Sequence, residues 1–224
     1  IRTAAKTVGI EVVRFDIVPE GTDYTASVSA AKALNPDILA MGSHEKAAME
    51  IIKICKELKF SPKAFVQHYG MSNPDFQKGL GKDSEYVFGT SVWTPNLKHQ
   101  AAILFNTPKE YSDAFKAKYG TVPDYTNAGS TAAGLAFQEA LRMIKAKPPL
   151  TQAQKDALVD ALEKLNIMTF YGPIKFATEG EYFHDNAGLQ PVALQYQAGK
   201  LVEVGPGKLK IGTPIYPTPS WEKR

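Results

Sequence analysis

Short apolar runs alternate with amphipathic stretches through the first part of this chain. Residues 1–9 read as the end of a helix that stops at Gly9, a residue suited to the left-handed C-terminal stop. Ile10 to Val18 alternates as a strand does, and Pro19-Glu20-Gly21-Thr22 is a turn. Asp23 to Leu34 predicts a small-residue helix with Asp23 near its N-cap, broken by Asn35-Pro36. A buried strand then covers Asp37 to Gly42, a helix Glu45 to Lys59, and a strand Lys63 to His68. A short helix at Asn73–Leu80 and a strand at Tyr86–Val92 follow. This βαβαβαβ rhythm with short connections predicts a parallel sheet with helices on both faces.

After Trp93-Thr94-Pro95 the pattern changes. Thr107–Lys118, Asn127–Lys147 and Thr151–Leu165 are long helical patterns, the last two separated by Pro148-Pro149. The third opens with Thr151-x-x-Gln154, a capping-box spacing in which two orphan donors of the first turn are satisfied. Phe170–Phe176, Val192–Gln197 and Leu201–Val204 read as short strands, with a hairpin turn at Gln197-Ala198-Gly199-Lys200. The tail from Gly205 carries Pro206, Pro214, Pro217 and Pro219 and predicts extended chain over the surface. A sheet-rich unit is thus followed by a helical one with little sheet of its own.

Two strand ends concentrate the chemistry. Asn35-Pro36-Asp37-Ile38-Leu39-Ala40-Met41-Gly42-Ser43-His44 runs from a turn through an apolar strand into Gly-Ser-His, just before an amphipathic helix. Lys63-Ala64-Phe65-Val66-Gln67-His68-Tyr69-Gly70 repeats the arrangement. In an open α/β sheet, ligands bind outside the C-terminal ends of the strands. His44, His68 and Tyr69 therefore point to one crevice.

Composition narrows the classes. With 44% hydrophobic residues in 224, the chain can bury a core, and its length allows one domain or two. The 26 basic and 23 acidic residues are scattered, which argues against a nucleic-acid partner. The uncharged run Tyr125–Gln138 is rich in small and polar residues and falls short of the roughly 20 apolar residues a membrane span needs. No signal peptide or lipidation motif is visible in a sequence that starts at Ile1, without methionine. A single cysteine excludes an internal disulfide; Cys55 falls on the helical stripe Ala48, Ile51, Ile52, Leu58 and reads as a small buried hydrophobe.

The catalytic and cofactor motifs do not form. Gly79-Leu80-Gly81 lacks the third glycine of a dinucleotide fingerprint, and Gly205-Pro206-Gly207 puts a proline where a phosphate cradle needs an N–H. Gly129-Ser130-Thr131 is not a nucleophile elbow. The histidines at 44, 68, 99 and 184 have no metal-binding spacing, and zinc on His44 and His68 would need a third ligand. No cofactor or metal is implied, and an enzyme using His68 or His44 as a base is the weaker reading.

The order of several motifs resembles a known family. Gly21-Thr22-Asp23-Tyr24-Thr25, Ala31-Lys32-Ala33-Leu34-Asn35-Pro36-Asp37 and the strand ending at Gly42 resemble the C-terminal lobe of type I periplasmic solute-binding proteins. These are the branched-chain amino acid-binding proteins of ABC importers. Phe115-x-x-x-Tyr119-Gly120-x-x-Pro123-x-Tyr125 with the helix Ala128–Ala140 is similar to that family's return to its N-terminal lobe. Tyr171-Gly172-Pro173-Ile174-Lys175-Phe176 and Gln195-x-x-x-Gly199-Lys200 complete the series, which covers nearly the whole chain.

The resemblance implies an α/β fold of two Rossmann-like lobes that close over a ligand by hinge bending. Residues 1–92 would be most of the C-terminal lobe without its first strand. Residues 95–185 would return to the N-terminal lobe, whose own sheet lies upstream, and 188–224 would cross back. Hinges are implied near Ser91, Trp93 and Pro95 and near 176–188. The implied setting is periplasmic, or extracellular and lipid-anchored in a Gram-positive host. An upstream signal peptide, a membrane permease and the missing lobe complete the expected context.

Members that bind leucine-like ligands hold the ammonium with an acidic residue in the loop matching Gln67–Gly70, since an unpaired buried charge is costly. Here the loop reads Gln-His-Tyr-Gly. The implied ligand is a small carboxylate without an α-amino group, such as an aromatic acid, held by Ser43, His44, His68, Tyr69, Gly70 and Asn127. The residues also admit plainer roles. His44 can cap the helix that follows it, and His68 can bond backbone. Tyr69 can pack against the hinge, Trp93 can be hinge packing, and Asn127 can be an N-cap. At the level of function the alternatives are an amino-acid-binding member of the family and a ligand-sensing or receptor domain on the same fold.

Overall fold

The computed structural model describes residues 2–224, and the chain divides into two compact units. Unit 1 comprises 1–91 and 192–224; unit 2 comprises 92–191.

Unit 1 begins with helix α1 (Arg2–Thr7), followed by Gly9 at φ +74°. Helices α2 (Thr25–Leu34), α3 (Glu45–Glu57) and α4 (Pro74–Leu80) alternate with strands β1 (Ile38–Met41), β2 (Ala64–Gln67) and β3 (Phe88–Ser91). A side-chain cap marks the start of α4, whereas the N-cap of α2 is Tyr24 and the turn at Asp23 precedes it. Asp23 accepts from Thr25 N at 2.8 Å, and Asn73 accepts from Asp75 N at 3.0 Å. β1, β2 and β3 run parallel, in register from Ile38 opposite Ala64 and from Val66 opposite Phe88. Right-handed crossovers in one direction put α3 and α4 on the same face.

The sheet is mixed rather than wholly parallel. Beside β3 lies an antiparallel hairpin of Val192–Gln197 and Lys200–Gly205, which are β6 and β7 in chain order, giving the order β1-β2-β3-β6-β7. Its turn uses Ala198 at φ +51° and Gly199 at φ +72°. The backbone leaves unit 1 at Ser91 and re-enters at Val192, and these two residues are register partners.

The tail is extended, as its prolines predict, but it is firmly attached. Thr218 N donates to Lys63 O and Trp221 Nε1 to Phe60 O, both at 2.8 Å. Buried Gln195 donates to Ile215 O and accepts from Ile215 N. Arg224 lies 4.2 Å from the Trp221 ring centre and 5.3 Å from that of Phe65, and burial draws its pKa down to about 10. Against Phe65 the sheet is therefore covered by this tail, where a helix was expected. Cys55 is buried, and desolvation pushes its thiol up to about 12.

The predicted strand at Ile10–Val18 does not form. The segment makes no ladder pairing among the described residues, and Ile17 is 89% exposed. Alternation specifies which way side chains would point. A strand exists only when a partner takes its backbone groups, and β1, at the end of the sheet order, does not pair with this segment.

Unit 2 is mainly helical, with α5 (Pro108–Tyr119), α6 (Tyr125–Met143) and α7 (Gln152–Glu163). Thr107 caps α5 by accepting from Glu110 N at 3.1 Å. Thr151 and Gln154 close the capping box read from the sequence. The single strand expected at Phe170–Phe176 is instead the hairpin β4 (Ile167–Thr169) and β5 (Gly172–Ile174). Thr169 Oγ1 donates to Gly172 O and accepts from Tyr171 N, which folds the chain back at Phe170. Phe170 then enters a core with Trp93 and Tyr111; its ring stacks on Tyr111 at 4.1 Å, and Trp93 Nε1 donates to Phe170 O at 3.1 Å. A second core joins Ala132, Ala136 and Ala140 of α6 to Ala161, Leu165 and Ile174. No helix among the described residues is long and apolar enough to cross a membrane.

Candidate functional site

The strand ends of unit 1 hold most of the residues singled out from the sequence. β1 and β2 are hydrogen-bonded neighbours, and His68 N donates to Met41 O at 3.0 Å. The loops carrying Ser43-His44 and His68-Tyr69-Gly70 are thereby side by side. His44 and Tyr69 rings lie 6.4 Å apart with 26° between their planes; His68 meets Tyr69 edge-on at 4.2 Å. His44 and His68 are exposed, and Tyr69 keeps 44% of its surface open. Three rings thus form an accessible aromatic wall.

The plainer roles open to these residues fare unequally. His44 occupies the N-cap position of α3 in an extended conformation, yet its side chain makes no capping bond. His68 engages backbone through its own main chain; Thr90 Oγ1 donates to its carbonyl at 2.7 Å. Asn127 belongs to unit 2. It is the third residue of α6, and Asp124 is the N-cap: Asn127 Oδ1 accepts from Asp124 N at 3.1 Å while Asp124 Oδ1 accepts from Asn127 N at 2.9 Å. Of the residues expected at a hinge, Ser91 ends β3 at the unit boundary and Trp93 is buried in the core of unit 2. Pro95 follows two residues later.

Two residues that sequence reasoning passes over organise the site. Gln67 is wholly buried, and its Nε2 donates to Ser43 O and to Tyr69 O, both at 2.6 Å. One amide thereby clips the two loops together. A glutamine ending an apolar strand and directly preceding the ring-bearing loop is the signal that could have found it. The second is Glu45, the first residue of α3. A Cβ placed on Gly70 would lie 2.5 Å from Glu45 Oε2, so this carboxylate rests on the Gly70 backbone. Gly70 itself sits at φ +83°, where a side chain is strained. The Gln67–Gly70 loop has no acid of its own, as read from the sequence. The crevice nevertheless has one, delivered by the adjacent strand end.

Buried acceptors and hydroxyls without partners gather here too. Gln67 Oε1 and Ser43 Oγ are both buried and unbonded among the described residues. The other histidines serve elsewhere: His99 is half-buried in unit 2, where desolvation lowers its pKa, and His184 pairs with Glu163 at 2.7 Å. Among the described residues no group of three or more His, Cys, Asp or Glu is placed to hold a metal ion. A shallow open depression on unit 2 is lined mainly by apolar surface, with Phe137, Leu141 and Pro148 beside Gln138, Arg142 and Lys145.

The mixed parallel and antiparallel sheet with its helices matches the type I periplasmic binding protein fold. The family model described as periplasmic binding protein matches residues 1–197, and the chain belongs to that family. Similar solved structures include a leucine-binding protein from Thermotoga maritima (18% identity, TM-score 0.72), with 90% of this chain and 53% of that one covered. An extracellular ligand-binding receptor from Rhodopseudomonas palustris gives 24% identity and TM-score 0.73, over 91% and 58%. A branched-chain amino acid transporter substrate-binding protein from Streptococcus pneumoniae, in complex with isoleucine, gives 13% and 0.70, over 89% and 53%. The chain thus spans little more than half the length of these relatives.

Proposed function

We propose that this chain is the larger part of the solute-binding component of an ABC importer. It captures a small carboxylate with a flat, aromatic body outside the cytoplasmic membrane, in the periplasm or anchored on an extracellular surface. The observation that carries the reading is the exposed wall of His44, His68 and Tyr69 at two adjoining strand ends. Flat rings accept a ring edge-on or offset, and imidazole and phenol donors suit carboxylate and hydroxyl groups. Residues 1–92 serve as most of one lobe, 95–185 as a return into the other and 188–224 as the crossing back. Ser91 and its register partner Val192 set two connections side by side, an arrangement suited to hinge bending through Ser91, Trp93 and Pro95. The protein captures its solute rather than turning it over. Differential affinity for the closed form drives closure, and a permease receives that form.

A second reading, an amino-acid ligand, draws support from the Glu45 carboxylate at Gly70 and from the leucine- and isoleucine-binding relatives. The two separate by mass spectrometry of solute released on denaturing the purified full chain. An acid without an α-amino group is expected. Release of leucine, isoleucine or valine would replace the first reading by the second.

A further inference from the structure

The polar atoms with spare capacity at these strand ends are mostly acceptors. Glu45 Oε1 accepts from Asn73 Nδ2 at 3.3 Å, whereas Glu45 Oε2 accepts nothing among the described residues. Gln67 has committed both amide hydrogens to Ser43 O and Tyr69 O, which leaves its Oε1 as a buried acceptor without a donor. Ser43 Oγ, on the loop that follows β1, is also buried and unbonded. Of these, Glu45 Oε2 is the charged acceptor on a partly exposed residue, so a bound group that brings a hydrogen is favoured there.

The position of Glu45 is built, not incidental. Its side chain lies across Gly70, whose missing Cβ makes the room: that atom would stand 2.8 Å from Glu45 Cβ and 3.1 Å from Glu45 N as well as 2.5 Å from Oε2. A carboxylate in the first turn of a thirteen-residue helix is also favoured by the helix dipole. Asn73, itself the N-cap of α4, holds the other oxygen.

We propose that Glu45 is the specificity-determining acceptor of this site. It selects solutes that present an O–H or N–H at the α3 end while their body lies against His44, His68 and Tyr69. The inference rests on the strand-end site proposed above and names the chemistry it discriminates. A hydrogen bond to a charged acceptor corresponds to about tenfold to a hundredfold in affinity.

Calorimetric titration of the full chain with two matched pairs tests this: 4-hydroxybenzoate against benzoate, and leucine against 4-methylpentanoate. In each pair only the first carries the extra donor. The donor-bearing member of whichever pair binds should be preferred at least tenfold, and Glu45→Gln should remove that preference while leaving the donor-free affinity within about threefold. The thermal midpoint of the variant shows that it is folded. Equal loss for both members of a pair would mark Glu45 as structural and overturn the proposal. So would an unchanged preference in Glu45→Gln, or no binding of any of the four. Binding confined to the leucine pair would end the aromatic reading yet still judge Glu45 on its own preference.

Discussion

Phe170→Ala is expected to lower the stability of unit 2 by about 3–5 kcal/mol, the usual range for removing a buried phenylalanine ring. Phe170 is fully buried and stacks on Tyr111; Trp93 and Phe105 meet it edge-on at 6.5 and 5.5 Å. Taking the ring away removes one contact from each of the three, although Tyr111 still meets Trp93 and Phe105. The Trp93 indole N–H bond to Phe170 O survives, because it uses the backbone. The cost is therefore a cavity and lost ring contacts rather than a broken polar network. Urea denaturation of the full chain followed by tryptophan fluorescence checks it, with Phe183→Ala, on an exposed ring, as the control. The control should shift stability by less than about 1 kcal/mol.

Gln67→Leu is expected to cost about 2–4 kcal/mol and to weaken solute binding at least tenfold. Leucine fills a comparable buried volume but ends one atom short of the amide, so the position stays filled while the clip is lost. The lost amide hydrogens leave Ser43 O and Tyr69 O without their donor, at roughly 1–3 kcal/mol for each acceptor left unsatisfied. Part is recovered because Gln67 Oε1, already unpartnered, is removed as well. Hydrogen exchange separates this local effect from general loosening. Amides at 43–47 and 68–73 should lose protection, while those of β3 and β6 should change little.

These two residues show where sequence reasoning reaches its limit. The stripe that buries Cys55 and the Thr151–Gln154 capping box are local patterns, and both are present as read. The strand ends at Met41 and Gln67 are legible because apolar runs bounded by turn residues mark them. Ile10–Val18 has the same alternation and is not a strand, because pairing is a property of the partner and not of the segment. Phe170–Phe176 reads as continuous; the reversal at Phe170 depends on Thr169 Oγ1 bonds across the turn. Asn127 does lie at the start of its helix, but three residues past the cap at Asp124.

The site is half legible for the same reason. His44, His68 and Tyr69 announce themselves by type and position. Glu45 does not, since nothing along the chain says that its carboxylate comes to rest on Gly70 of the neighbouring loop. An acid missing from one loop is therefore weak ground for excluding an ammonium ligand, and the aromatic wall becomes the firmer basis for the proposed specificity.

The most direct measurement is calorimetric titration of the full chain with benzoate-type acids and with leucine, repeated on Tyr69→Ala. Tyr69 is substantially exposed, so its removal should leave the thermal midpoint almost unchanged. The account predicts micromolar binding of an aromatic acid, roughly −8 kcal/mol, weakened at least tenfold in Tyr69→Ala. Tight binding of leucine with no binding of the aromatic acids, or full affinity retained without the Tyr69 ring, would contradict it.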